Sequence, residues 1–193
     1  MKLSKRVARG MLAGVGLLLG GVGPLGGATS TWDGGAADNT WSTGAKWNPD
    51  GSVPASASNT WVRLDGYARY SPAQNIASPF VLNRLDFLNG TNGGGKTAFS
   101  LSGGQLQFVA NGSVQPTNYL NREATCTIYN NIDIPEGTLL TLYYTTYGVD
   151  YRGVVSGAGS IDKQTGSGGI SLFNPTNSFS GGLVIRGEDA DWN

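Results

Sequence analysis

From Pro79 onward the chain alternates polar and apolar residues in short runs, each closed by glycine or asparagine. The runs are FVLNRLDFL, AFSLSGGQLQFV, ATCTIYNNIDI, TLLTLYYTTY, GVVSGAGSI, GISLF and GLVIRG. A period of two puts every second side chain on one face, so each run reads as a half-buried strand. The inward set predicted by this alternation is Phe99 with Leu101, Leu106 with Phe108, Cys126 with Ile128, and Ile132 with Ile134. Ile170 with Leu172 and Leu183 with Ile185 continue it. Such runs at intervals of about 8–12 residues belong to a sandwich, a barrel or a solenoid. Helical spacing is absent after the first apolar segment, and the fold class is all-β.

Two features favour a short parallel β-helix over the alternative, a β-sandwich or jelly roll. The turns are Gly/Asn/Ser clusters of varied length, with few of the two-residue Asn-Gly or Asp-Gly loops that join hairpins. Asparagines also recur at strand ends (Asn89, Asn111, Asn130, Asn131, Asn174, Asn177), where stacked coils can ladder their amides. Stacked coils need a seal at the end. Residues 29–78 hold four of the five tryptophans (Trp32, Trp41, Trp47, Trp61) among turn signals and suit that N-terminal cap. Residues 79–193 form the β-helix region, read as truncated at the C-terminus.

Residues 1–28 read as a signal peptide. Lys2, Lys5, Arg6 and Arg9 precede an apolar, glycine-studded stretch, and Gly26-Gly27-Ala28 supplies small residues for cleavage after Ala28. No stable membrane span is expected after its removal. Thirteen basic residues balance thirteen acidic ones, so no net field draws the chain to nucleic acid. Only 13% of residues are charged while Gly reaches 31, the balance of a secreted or cell-surface β-protein rather than a helical enzyme. Cys126 is the single cysteine and histidine is absent, which removes an internal disulfide, Ser-His-Asp and Cys-His catalysis, and histidine-based metal sites.

One block has a recognisable pattern. Gly157-Ala158-Gly159-Ser160-Ile161-Asp162-Lys163, Gly166-Ser167-Gly168, Ile170-Ser171-Leu172 and Asn177-Ser178-Phe179-Ser180-Gly181-Gly182 resemble one copy of the autotransporter-associated β-strand repeat, also called the passenger-associated transport repeat. The opening TWDGG…NTWST…KWNPDG resembles the N-termini of large secreted bacterial proteins that carry such repeats. The resemblance implies a right-handed parallel β-helix passenger, displayed on or released from a bacterial cell, with no catalytic residue.

GTNGGGKT, Gly90 to Thr97, matches the phosphate-loop pattern G-x-x-x-x-G-K-[ST]. That chemistry needs a helix starting at the lysine, so that its first amides meet phosphate. AFSLSGGQLQFV follows with period-two alternation, so no nucleotide is expected and Lys96 belongs to a bend between strands. Asp86, Asp133, Asp150 and Asp162 are scattered singly, and Glu188, Asp189 and Asp191 sit near the last residue. Neither arrangement repeats from coil to coil as a catalytic groove would require. The expectation is therefore a non-enzyme without cofactor or metal, acting in adhesion or in contact with the cell envelope or matrix. A carbohydrate-binding or polysaccharide-degrading module is the alternative. Extracellular glycans and envelope components are the partners considered, with Tyr143, Tyr144 and Trp47 as the glycan-contact candidates.

Overall fold

The structure is a computed structural model and describes residues 28–35, 37–66, 70–89, 96–164 and 166–186. It is nearly all β, a β-solenoid of about 5 turns. Its longest sheet contains β3 (Thr60–Leu64), β6 (Arg84–Leu88), β9 (Thr117–Asn121), β12 (Leu139–Tyr144), β15 (Ser160–Lys163) and β17 (Leu183–Ile185). Beyond β3 it continues through β1 (Ala28–Trp32) to β2 (Trp47–Asn48). A second sheet stacks β4 (Ala73–Gln74), β7 (Ser100–Gly103), β10 (Cys126–Ile128), β13 (Val149–Tyr151) and β16 (Ile170–Leu172). The third holds β5 (Phe80–Leu82), β8 (Leu106–Phe108), β11 (Ile132–Asp133) and β14 (Val155–Ser156). Each coil visits the three sheets in that order.

The register makes the core. Leu64 pairs with Phe87, Phe87 with Leu120, and Leu120 with Tyr144, so inward side chains stack into a column along the axis. All the inward residues read from the alternation between Phe99 and Ile134 are fully buried. Removing one large apolar side chain from water contributes about 1.5–3 kcal/mol, and a column of them holds successive coils together. Coil length varies without disturbing this register. It falls from 33 residues between Arg84 and its partner Thr117 to 21 between Leu139 and Ser160, because the extra chain leaves through the corners.

The block resembling a repeat forms the last coil. Gly157 has φ +103 and a Cβ there would lie 2.1 Å from the Ile134 carbonyl oxygen, so only glycine lets the two coils approach. Lys163 lies inward, its ammonium donating to the carbonyls of Gln164 (2.6 Å) and Gly166 (3.0 Å). Among the described residues Asn130, Asn131 and Asn177 bond to the backbone of the adjacent coil, before or after their own, rather than amide to amide. Asn131 Oδ1 accepts the Val154 N–H and Asn177 Oδ1 the Val155 N–H, while Asn130 Nδ2 donates to Gly104 O.

At the N-terminal end β2 pairs antiparallel with β1 and occupies its edge. Trp32, Trp41 and Trp47 are fully buried and meet edge to face at 5.3 and 5.6 Å, with Trp41 on Phe80 at 5.2 Å. These rings seal the bore. The other end differs from the sequence expectation. Ile170 and Leu172 are only half-buried, and Leu183 and Ile185 are 40% and 62% exposed. Among the described residues no coil stacks on β17, so the alternation is present without the cover that would bury it.

Two polar devices sit inside. Asn118 stands between Leu85 and Leu142 in an inward column, and its Oδ1 lies 2.8 Å from the hydroxyls of both Tyr144 and Tyr151, which are 2.7 Å from each other. Its Nδ2 donates to Leu85 O at 2.9 Å. The second device is Arg122, buried against the Phe99 ring at 4.5 Å. It donates to the carbonyls of Leu88 and Thr97, the two feet of the glycine-rich segment. Residues 90–95 of that segment lie outside the described residues. Lys96 is exposed, and strand β7 follows in place of a phosphate-loop helix.

Trp41→Ala should cost about 3–5 kcal/mol in urea unfolding. Asn118→Ala leaves a buried tyrosine hydroxyl without its acceptor and removes the side-chain bond to the Leu85 carbonyl, whose ladder bond remains. It should cost roughly 1–3 kcal/mol. Tyr151→Phe leaves the Tyr144–Asn118 bond in place and should cost no more than about 1 kcal/mol. An equal loss from Tyr151→Phe and Asn118→Ala would show that Asn118 does not organise the cluster.

Candidate functional site

The outer face of the long sheet carries the densest set of recognition-type side chains among the described residues. Alternation turns Trp61 and Arg63 outward from β3, Arg84 and Asp86 from β6, Thr117 and Tyr119 from β9, and Thr141 and Tyr143 from β12. Register then aligns them in two columns. Trp61, Arg84, Thr117 and Thr141 form one, and Arg63, Asp86, Tyr119 and Tyr143 the other.

Asp86 is the pivot of this face. Although it points outward, it is only 1% exposed, covered by its neighbours. Its Oδ1 accepts from Arg84 Nε at 2.7 Å and its Oδ2 from Trp61 Nε1 at 2.9 Å. The Arg84 guanidinium lies 4.2 Å from the Trp61 ring centre and 5.7 Å from that of Tyr119. Arg63 sits 5.8 Å from Trp61 and pairs with Asp65 at 3.4 Å. One carboxylate thus fixes an indole and a guanidinium, and the rings on either side hold the guanidinium flat. Burial pushes the Asp86 carboxyl above its ordinary value of 3.8, and its bonds to Arg84 and Trp61 only partly offset this.

A second outward stripe follows the corner after β13. The registers Ile128↔Tyr151↔Leu172 carry Tyr129, Arg152 and Phe173 to successive coils one residue on. Tyr129 and Phe173 are each 54% exposed, and Arg152 lies over Phe173 at 4.5 Å.

The three glycan-contact candidates separate. Tyr143 is 43% exposed on the long sheet, as a contact residue must be. Tyr144 points inward at 1% exposure and Trp47 is fully buried in the cap, so neither ring can meet a surface ligand. Neighbours in a strand take opposite faces, which is why Tyr143 and Tyr144 cannot both be outward. The four scattered aspartates remain apart: Asp86 and Asp162 on the long sheet with two strands between theirs, Asp133 on the third sheet, Asp150 on the second. Glu188, Asp189 and Asp191 lie outside the described residues, among which no cluster of His, Cys, Asp or Glu could hold a metal ion. Ala28, the expected last residue of the signal, is the first residue of β1.

Sequence reading missed Tyr119 because it missed β9. The inward residue at the centre of that strand is Asn118, which breaks the apolar alternation, and its polar partners come from coils further on. TNYLN still carries a strand signal in Tyr119 and Leu120.

Comparison with protein-family models, curated proteins and solved structures gave no significant match for this chain.

Two outcomes follow from the titratable groups. Burial pushes the Cys126 thiol up to about 11, opposed only in part by the Phe99 N–H and by Arg122. It should stay unreactive toward a disulfide reagent at pH 8 until the protein unfolds; a stoichiometric reaction of the folded protein within minutes would contradict its burial. A raised carboxyl binds its proton more readily folded than unfolded, so Asp86 makes stability fall as pH climbs from 3.8 to the folded value, with no further change above. Asp86→Asn removes this term. Relative to the wild type, the variant's urea midpoint should therefore gain between pH 3 and pH 6, and a constant difference would refute the assignment.

Proposed function

We propose that this chain is a non-catalytic solenoid, secreted or displayed on a bacterial surface, serving as a passenger or stalk in adhesion to the cell envelope or matrix. The observation that carries this reading is the condition of the aspartates borne by the three sheets. Asp65 is paired with Arg63, Asp86 with Arg84, Asp150 with Arg152 and Asp162 with Arg186, while Asp133 on the third sheet accepts from Gln107 Nε2 at 2.7 Å. Hydrolysis of a glycoside needs two carboxyl groups facing one bond, one of them free to accept or donate a proton, about 5–9.5 Å apart. Four aspartates tied to arginines and a fifth held by a glutamine, on separate patches of three sheets, do not offer that.

The rest of the chain agrees with a structural and adhesive role. Coil upon coil of parallel strands gives a stiff rod that needs no disulfide, consistent with the single buried Cys126. Residues 1–28 read as an export signal, and cleavage after Ala28 removes one residue of β1 while leaving its pairing with β3 from Thr29 onward. The block from Gly157 to Gly182, which resembles the autotransporter-associated repeat, makes one coil of the kind a passenger would repeat. The surface rings favour the second reading, a carbohydrate-binding module, as the means by which such a stalk adheres.

Expressed from its own leader in a bacterial host, the protein should leave the cytoplasm and begin at Thr29 on N-terminal sequencing. Incubated with neutral and acidic polysaccharides, it should release no new reducing ends. Product release that disappears on changing a single aspartate would replace this reading with an enzymatic one.

A further inference from the structure

We propose that the outer face of the long sheet, centred on Tyr119 and Tyr143, binds a neutral glycan chain laid across the strands, along the solenoid axis. The proposal deepens the adhesive reading above and rests on it. Tyr119 and Tyr143 are register partners on adjacent strands, about 4.8 Å apart in the sheet. Two phenol rings side by side on a flat sheet offer what the C–H face of a sugar ring needs, an apolar surface with hydroxyls at its rim. The neighbouring column supplies hydrogen-bonding groups at the same pitch, with Thr117 and Thr141 beside the rings and Arg84 one coil before.

The state of Asp86 separates a binding face from a merely covered one. A carboxylate on the outside of a sheet is normally solvated, and burying it costs folding free energy. Here it is buried and spends both oxygens holding Trp61 and Arg84, and the Arg84 guanidinium lies 5.7 Å from the Tyr119 ring centre. Threonines alone would cover the sheet without that cost. A surface whose donors and rings are locked before the ligand arrives loses little entropy on binding.

Charge selects the ligand. The cations of this face, Arg63 and Arg84, are matched by Asp65 and Asp86 at 3.4 and 2.7 Å, so the platform has no surplus positive charge to offer a polyanion. A neutral polysaccharide fits the balance; pectate-like or alginate-like chains do not. The solenoid fixes the direction, because the rings succeed one another from coil to coil and not along one strand.

The test is affinity electrophoresis of the purified protein through gels containing xyloglucan or mixed-linkage β-glucan, with polygalacturonate and alginate as acidic counterparts. Retardation in a neutral gel is expected, weakened about tenfold by Tyr143→Ala or Tyr119→Ala, the size of one ring-stacking contact. Tyr143→Phe should keep most of it, and Tyr129→Ala on the corner stripe should leave it unchanged. Circular dichroism of each variant confirms the fold. Absence of retardation in every neutral gel overturns the proposal. So does stronger retardation by the acidic gels, or loss on Tyr129→Ala in place of Tyr143→Ala. Reducing ends measured in the same gels test the non-catalytic reading separately: product release with ring-dependent retardation would refute that reading and leave the platform standing.

Discussion

The structure depends on one repeated event, the placing of an inward side chain directly over the inward side chain of the preceding coil. Parallel register does this for Leu64, Phe87, Leu120 and Tyr144 in one column of the long sheet, and for the equivalent columns of the other two sheets. Each coil is too short to bury its own face, so its stability comes from its neighbours. That accounts for the differing ends. At one, three fully buried tryptophans and the antiparallel β2 cover the end of the stack among the described residues. At the other, Leu183 and Ile185 keep the pattern of a core strand and stand exposed.

The same register that builds the core composes the surface. Because strands stack without stagger, outward residues from coils 20 or 30 positions apart in sequence become lateral neighbours. Trp61, Arg84 and Asp86 meet this way and lock together, and Tyr119 meets Tyr143. The rigidity of the outer face is therefore a by-product of core stacking, with Asp86 as the added element that fixes two side chains on it. A buried carboxylate bound by an indole and a guanidinium is costly as ballast and useful as an orienting group.

Much of the fold was legible because hydrophobic alternation is a local signal. The strands around Phe99, Leu106, Cys126 and Ile132 could be read one at a time, and their inward residues are buried as the pattern says. Reading failed where the inward residue is polar and its partner distant. Asn118 hid β9, and Lys163 occupies an inward place that charge alone would assign to solvent. The glycine-rich GTNGGGKT shows the converse. Its local match to a phosphate loop is complete, yet strand β7 follows it, and Arg122 from a coil further on clasps its two ends.

By itself the sequence determined the class of structure, the presence of a tryptophan-rich seal and the absence of histidine-based chemistry, since these follow from residue types and from spacing along a single strand. Which tyrosine is available to a ligand was also partly fixed there, because adjacent residues in a strand must face opposite ways. Tertiary structure alone chose Tyr143 over Tyr144, gave Tyr143 its partner Tyr119, and buried Asp86 on an outward face. Those outcomes depend on which coil lies against which, and coil lengths between 21 and 33 residues leave no fixed repeat from which that pairing could be read.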